Sequence, residues 1–298
     1  MVAIPNLLLR SLLPASIASA LDDRLASLQS ANMTGCALAS TNMTGTMHLA
    51  TVHGSLVPPT NATPVYVGIG FGVQNYTCTP ANNFTYVSRL VLVLYYRPHA
   101  HAGLRNIGAV AQLLDASCLV PTPLFVALPA ALHAFWTALP PAAPTIQSLL
   151  ALLHSTPSPL APSLVLAQHY FVTNPLTGAG VSPKWDFSSS GNPALAGDAD
   201  AVVVARPKGS APAPNAAADV NWLDVVNVGG PAGGRIADEV FRTDTIGGQP
   251  PSSCVFGQTQ DVSVKYVATY WFFRNNSNST SAPDGQTQNS TVASASAP

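Results

Sequence analysis

Charge is what this chain has least of. Lys, Arg, Asp and Glu make up 8% of its 298 residues, the formal net charge is -1, and glutamate occurs once, at Glu239. With no basic run, the chain has no means of neutralising a phosphate backbone, which argues against nucleic acid as a partner. Cysteine is also sparse: Cys36, Cys78, Cys118 and Cys254, with no C-x-x-C pair. That spacing argues against zinc and against thioredoxin-like redox work. It suits two structural disulfides in an oxidising compartment. Four cysteines allow three pairings, and spacing does not choose among them.

Long uninterrupted apolar runs are missing too. From Ala116 to Pro183 there is no Asp, Glu, Lys or Arg, but Pro121, Pro123, Pro129, Pro140, Pro141, Pro144, Pro157, Pro159 and Pro162 cut the stretch into pieces. The longest pieces, Ala130–Leu139 and Thr145–Thr156, fall short of the about 20 residues that a spanning helix needs. They predict a helical insert over 119–163, two short apolar helices that cover an open face of a sheet. Its functional use would be a lid over an apolar ligand, or a patch that meets lipid or another protein. No Gly-x-Ser-x-Gly elbow occurs, so an α/β-hydrolase nucleophile has no support. Gly68-x-Gly70-x-Gly72 lacks the third glycine of a dinucleotide loop and reads as part of a strand.

What the chain does have is sequons, eight of them, at Asn32, Asn42, Asn61, Asn75, Asn83, Asn275, Asn278 and Asn289. They place it in the secretory pathway, with sugar doing the solubilising that charge does elsewhere. Residues 1–20 read as a signal peptide: an apolar stretch, Leu7 to Leu13, precedes Ala18-Ser19-Ala20 in a small-x-small cleavage pattern. Arg10 inside that stretch also suits an amphipathic helix. Residues 21–64 form an N-terminal extension. Residues 274–298, rich in Asn, Ser, Thr, Ala and Gln, read as a disordered glycosylated tail without a GPI-anchor signal.

Between them, 65–273 reads as a mainly β domain. Val65–Val73, Arg89–Tyr96, Gly108–Leu114, Leu164–Val172, Ala201–Ala205, Trp222–Val228, Val240–Ile246 and Val262–Phe273 are β-branched and aromatic runs bounded by turn residues. Many short strands predict a β-sandwich or barrel.

Several segments in order carry a resemblance. They are Gly72-Val-Gln-Asn-Tyr-Thr-Cys78, Gly108 to Cys118, Gln168-His-Tyr-Phe171, Pro183 to Phe187, Asp219 to Leu223, Val240 to Pro251 through Cys254, and Val264 to Phe272. The series resembles the domain-of-unknown-function 3455 family of secreted fungal and bacterial proteins. The resemblance implies an extracellular β-rich domain with no established activity, and the pairings Cys78–Cys254 and Cys36–Cys118. Some fungal members carry a malate dehydrogenase label. That chemistry needs a nicotinamide cofactor on a parallel doubly wound sheet and arginines to hold two carboxylates. No such pattern is here, so we expect no cofactor and no such activity.

One segment departs from the family pattern. Residues 87–105 intervene where strand should follow turn, and Val87-Ser88 is how a common intron start reads in translation. The insert is either a retained intron in the gene or an extra strand.

Chemistry-bearing residues are few. His99-Ala-His101 would put two imidazoles on one side of a strand, but no further ligand is near, and no metal site is expected. His169 with Asp186 would suit general base catalysis, while a half-buried structural histidine is the plainer use. Asp115 and Arg242 are placed to pair. Asp238 and Glu239 show no glycosidase-like pairing by spacing. Trp185, Trp222 and Trp271 would serve either as core or as a sugar platform.

The reading that results is a secreted, disulfide-stapled glycoprotein that binds an extracellular carbohydrate, lipid or protein. The alternative is a secreted enzyme acting on wall polysaccharide or a small apolar molecule through His169, Asp186 and Arg242. Convergence of those three in one cleft would favour the enzyme.

Overall fold

Alternation of glycine with large apolar residues dictates the first element. In the computed structural model, Ala62–Cys78 is one long strand, β1. The structure describes residues 38, 46–49, 56–86, 90–92, 104–120, 122–138 and 165–276, with 90–92 and 104–108 described by backbone alone. The strands that follow are β2 (Phe84–Tyr86), β3 (Leu90–Leu92), β4 (Leu104–Asp115), β5 (Val165–Thr173) and β6 (Val181–Asp186). Then come β7 (Val202–Ala211), β8 (Trp222–Asn227), β9 (Glu239–Gly247) and β10 (Val262–Asn275). The α-helices among the described residues are α1 (Pro123–Ala138) and the single turn α2 (Gly230–Gly233), beside 3-10 turns at Ser117–Leu119 and Phe187–Ser189.

Eight of the strands close into an antiparallel barrel. Its order is β1–β10–β9–β8–β7–β6–β5–β4, and β4 returns to β1. The pairing β1–β4 runs from Gly68 opposite Asp115 to Gln74 opposite Ala109. β2 and β3 are outliers on β1 and β4.

The lumen is filled. β6 and β10 are not neighbours in the sheet, yet Trp185 and Phe187 of β6 and its following turn meet Tyr270 and Phe272 at 5.1–5.9 Å between ring centroids. Leu113, Leu166, Val203, Val225, Val240 and Tyr266 complete this inner core. The glycines of β1 face it for a steric reason. A Cβ on Gly70 would stand 2.6 Å from Tyr270 Cε2, and one on Gly72 would stand 1.9 Å from the Val110 carbonyl oxygen.

A second apolar layer lies outside. Val67, Ile69 and Phe71 of β1, Phe241 of β9, and Val267, Trp271 and Phe273 of β10 point away from the lumen. They are covered by Leu124, Phe125, Leu128, Phe135 and Trp136 of α1, with Leu38, Met47, Leu49 and Leu56 from the N-terminal extension. Trp136 Nε1 donates to the Gly72 carbonyl at 2.9 Å, and Lys265 Nζ donates to the Trp136 carbonyl at 2.7 Å near the helix end. A cation there suits both the orphan carbonyls and the helix dipole.

The expected break at Pro129 is corrected: α1 runs straight through it. An interior proline costs about 3 kcal/mol through its missing N–H and its clash with the preceding turn. Burial of Pro129 and its neighbours against the barrel offsets that cost. Pro123 does not break the helix either; it occupies the first helical position, where an N–H has no partner to lose. The second expected helix, Thr145–Thr156, lies outside the described residues. The expected end of the β domain also moves. Arg274 and Asn275 belong to β10, and Asn276 N donates to the Asn61 carbonyl at 2.9 Å.

Cys78 and Cys254 are bonded, with Cα atoms 5.9 Å apart, so the pairing implied by the resemblance is present. Cys118 is also disulfide-bonded; Cys36, its expected partner, lies outside the described residues.

Candidate functional site

Where α1 leans on the outer wall, it leaves a groove of about 270 Å³. One side is apolar, built by Phe125, Val126 and Pro129 of α1 with Trp222 of β8 and Ile246 of β9. The other end is polar, with His48, Asp219, Asp244, Thr245 and Thr269.

A bulge creates the polar end. On β9, Asp244 and Thr245 together face the single Ala268 of β10, between the pairs Thr243–Thr269 and Ile246–Val267. Asp244 takes φ 48°, in the left-handed region, and His48 takes φ 52°. Each such residue costs about 1–2 kcal/mol, and bulges of this kind re-aim side chains next to functional sites. Asp244 is thereby turned toward His48, whose Nδ1 lies 2.8 Å from its Oδ1. Thr243 Oγ1 donates to Asp244 Oδ2 at 2.7 Å and accepts from Trp271 Nε1 at 3.1 Å. The Asp244 hydrogen bond raises the His48 pKa above its ordinary value against a smaller opposing effect of burial. The pair is therefore more readily charged than a free histidine.

Two polar atoms of residues that line this groove have no partner among the described residues. Trp222 Nε1 and Thr269 Oγ1 are buried without a hydrogen-bond partner. A buried unsatisfied donor costs about 1–3 kcal/mol, so each has an outstanding demand for a ligand oxygen or a water.

The three residues offered from sequence do not converge. His169 faces the lumen, 3% exposed, with Nδ1 3.0 Å from the Lys184 carbonyl, to which it donates. Burial drives its pKa down to about 3, and the Arg242 charge acts in the same direction, so it is neutral at physiological pH. Asp186 lies on the opposite face of the wall, where it accepts from Tyr170 Oη at 2.7 Å and Ser188 Oγ at 2.6 Å. Burial pushes its carboxyl up, but those hydroxyls and the Lys184 ammonium outweigh it, and the net shift is downward. Arg242 donates through Nε and Nη2 to the Asn221 carbonyl. The Arg242 charge bears on His169, and its guanidinium also hydrogen-bonds Tyr270 beside that imidazole, whereas Asp186 lies on the other face of the wall, so only two of the three come together.

Asp115 does not meet Arg242; it accepts from Ser117 N at 2.9 Å. Trp185, Trp222 and Trp271 are 3%, 2% and 0% exposed, so they are core and make no exposed sugar platform. Asn61 and Asn83 are exposed, and Asn75 and Asn275 half-buried. His99, His101, Asn32, Asn42, Asn278 and Asn289 lie outside the described residues. The described residues hold no cluster of three or more metal-ligating side chains. No helix among them is long and apolar enough to cross a membrane.

Sequence reasoning missed His48 and Asp244. His48 sits in the extension, which shows no periodicity. Asp244 had a faint signal: in Val240-Phe-Arg-Thr-Asp-Thr-Ile246 it interrupts an apolar strand, which is how a bulge reads.

No curated protein and no solved structure matches the chain. A family model described as a protein of unknown function (DUF3455) matches residues 58–274, which takes in the barrel and α1, and the chain belongs to that family.

Proposed function

We propose that this chain is a secreted, N-glycosylated binding protein, and that the groove beneath α1 takes a small, largely apolar molecule carrying a hydroxyl or carbonyl oxygen. The observation that carries this reading is the unmet demand of Trp222 Nε1 and Thr269 Oγ1, both on residues that line an apolar groove. An apolar body would cover Phe125, Val126 and Pro129, and one oxygen would accept from Trp222. A few convergent polar groups in an apolar concavity are the usual composition of a small-molecule site. The sequons, the cysteine usage and the N-terminal pattern support secretion. No cofactor or metal enters the reading.

The test is a binding screen of the mature glycoprotein against glycan arrays and a panel of lipids and apolar alcohols, with a Trp222→Phe variant alongside. We expect a ligand from the apolar panel, bound about tenfold more weakly by the variant, as loss of one hydrogen bond implies. Binding only to glycans, or apolar binding indifferent to Trp222→Phe, overturns it.

A further inference from the structure

Lys208 of β7, Asp224 of β8 and Glu239 of β9 meet on the outer face of the barrel, away from the α1 groove. Lys208 Nζ lies 3.2 Å from Asp224 Oδ2 and also contacts Glu239 Oε1. The carboxylates are buried, their side chains 2% and 11% exposed, while Lys208 reaches in from the rim at 46%. Asp224 stands opposite the fully buried Phe241, whose ring meets Phe273 at 5.7 Å. As a plain ion pair this site is incomplete: Asp224 Oδ1 has no donor among the described residues, and the carboxyls of Asp224 and Glu239 can hydrogen-bond each other only when one of them carries a proton. A buried charge left partly unpaired is costly.

We propose that Lys208 and Asp224 join in an intramolecular amide bond across β7 and β8, with Glu239 as the proton carrier. The two residues are already at the separation that makes a bimolecular condensation effectively unimolecular. Burial, with Glu239 beside it, pushes the Asp224 carboxyl up to about 7, so near neutral pH it carries a proton for a substantial part of the time. A protonated carboxyl is the electrophile an amine can attack.

The step balances without an oxidant or cofactor. Glu239 takes one proton from the Lys208 ammonium and exposes the Nζ lone pair. Nζ attacks Asp224 Cγ, the N–C bond forms, and the C–OH bond of Asp224 breaks. The departing hydroxyl takes a second Nζ proton and leaves as water toward the exposed rim. The third proton stays on the amide nitrogen. Glu239 ends protonated and returns its proton to solvent. A buried carboxylate and its counter-ion are replaced by a neutral amide.

Trypsin digestion of the secreted wild-type protein decides this without any variant. No sequon lies between Trp185 and Arg235, and Arg206 precedes Pro207, so the ordinary products are Trp185–Lys208 and Gly209–Arg235. The amide would block cleavage at Lys208. We expect one looped peptide, Trp185–Arg235, lighter by one water than the same peptide uncleaved, with tandem spectra placing the loop between Lys208 and Asp224. Two separate peptides of unmodified mass overturn the proposal. A Glu239→Gln chain should give the two separate peptides; a loop formed in full there overturns the role of Glu239.

Discussion

His169 lies flat on Trp185, ring centroids 4.7 Å apart and planes within 14°, on facing positions of β5 and β6 inside the barrel. The stack holds an imidazole where protonation is expensive, and acid stability follows from that. An unfolded histidine titrates near 6.5, whereas His169 titrates at about 3. Below pH 6.5 the unfolded chain binds a proton that the barrel refuses, so stability falls as pH drops from 6.5 toward 3. Linkage sets the loss on the order of 5 kcal/mol at the acid end. Denaturant midpoints at pH 7 and pH 4.5 should separate widely for the wild type and less for His169→Phe. Equal separations would show that the histidine is not the source.

Gly70→Ala should damage the barrel. Its new methyl would stand 2.6 Å from a ring carbon of the buried Tyr270, which has no free direction in which to move. Overpacking of a filled core costs about 1–3 kcal/mol. A thermal melt of the variant at or above the wild-type midpoint would contradict this.

The Cys78–Cys254 bond closes a sequence separation of 176 residues. Chain-entropy arithmetic puts its removal at about 5 kcal/mol as an upper value. Cys78→Ala with Cys254→Ala should lower the melting temperature markedly, measured under non-reducing conditions.

The register of β1 bears on residues 87–105. β2 pairs Tyr86 with Tyr76, and continuing that register would place residue 88 opposite Gln74, where Ala109 stands instead. β2 and β4 thus occupy one lane along one edge of β1, interrupted by 109 less 88, or 21 residues. Within that excursion Leu90–Leu92 pairs with Leu104–Asn106 as an outlying ribbon, not as a central strand. A chain lacking Val87–Arg105 should be secreted at least as well, with β2 joined to β4 through a bulge that takes up the two residues by which the excursion exceeds the deletion. Loss of secretion would refute this, and mature transcripts that keep the segment would end the intron explanation.

Much of the barrel is legible because alternation is local. Seven of its strands follow from β-branched and aromatic runs, with β6 the exception. Val181–Asp186 carries Pro183 and Lys184, which read as turn chemistry until Phe171 and Tyr170 are found opposite them. The α1 groove was hidden for a different reason. His48 and Asp244 are 196 residues apart, and a one-residue bulge decides which way Asp244 points. Lys208, Asp224 and Glu239 likewise meet only once β7, β8 and β9 are aligned, with β7 irregular between Pro207 and Gly209.

Barrel closure has a consequence for the order of events during synthesis. β1 is the first barrel strand made and β10, its partner over Ala62–Tyr76, is the last. Until β10 emerges, Asn75 faces solvent with no neighbour on that side; afterwards its side chain accepts a hydrogen bond from Ser263 Oγ and is half-buried. A sugar on Asn75 is therefore most easily attached to the growing chain while the seam is still open, because closure engages the acceptor amide with Ser263 and covers part of it.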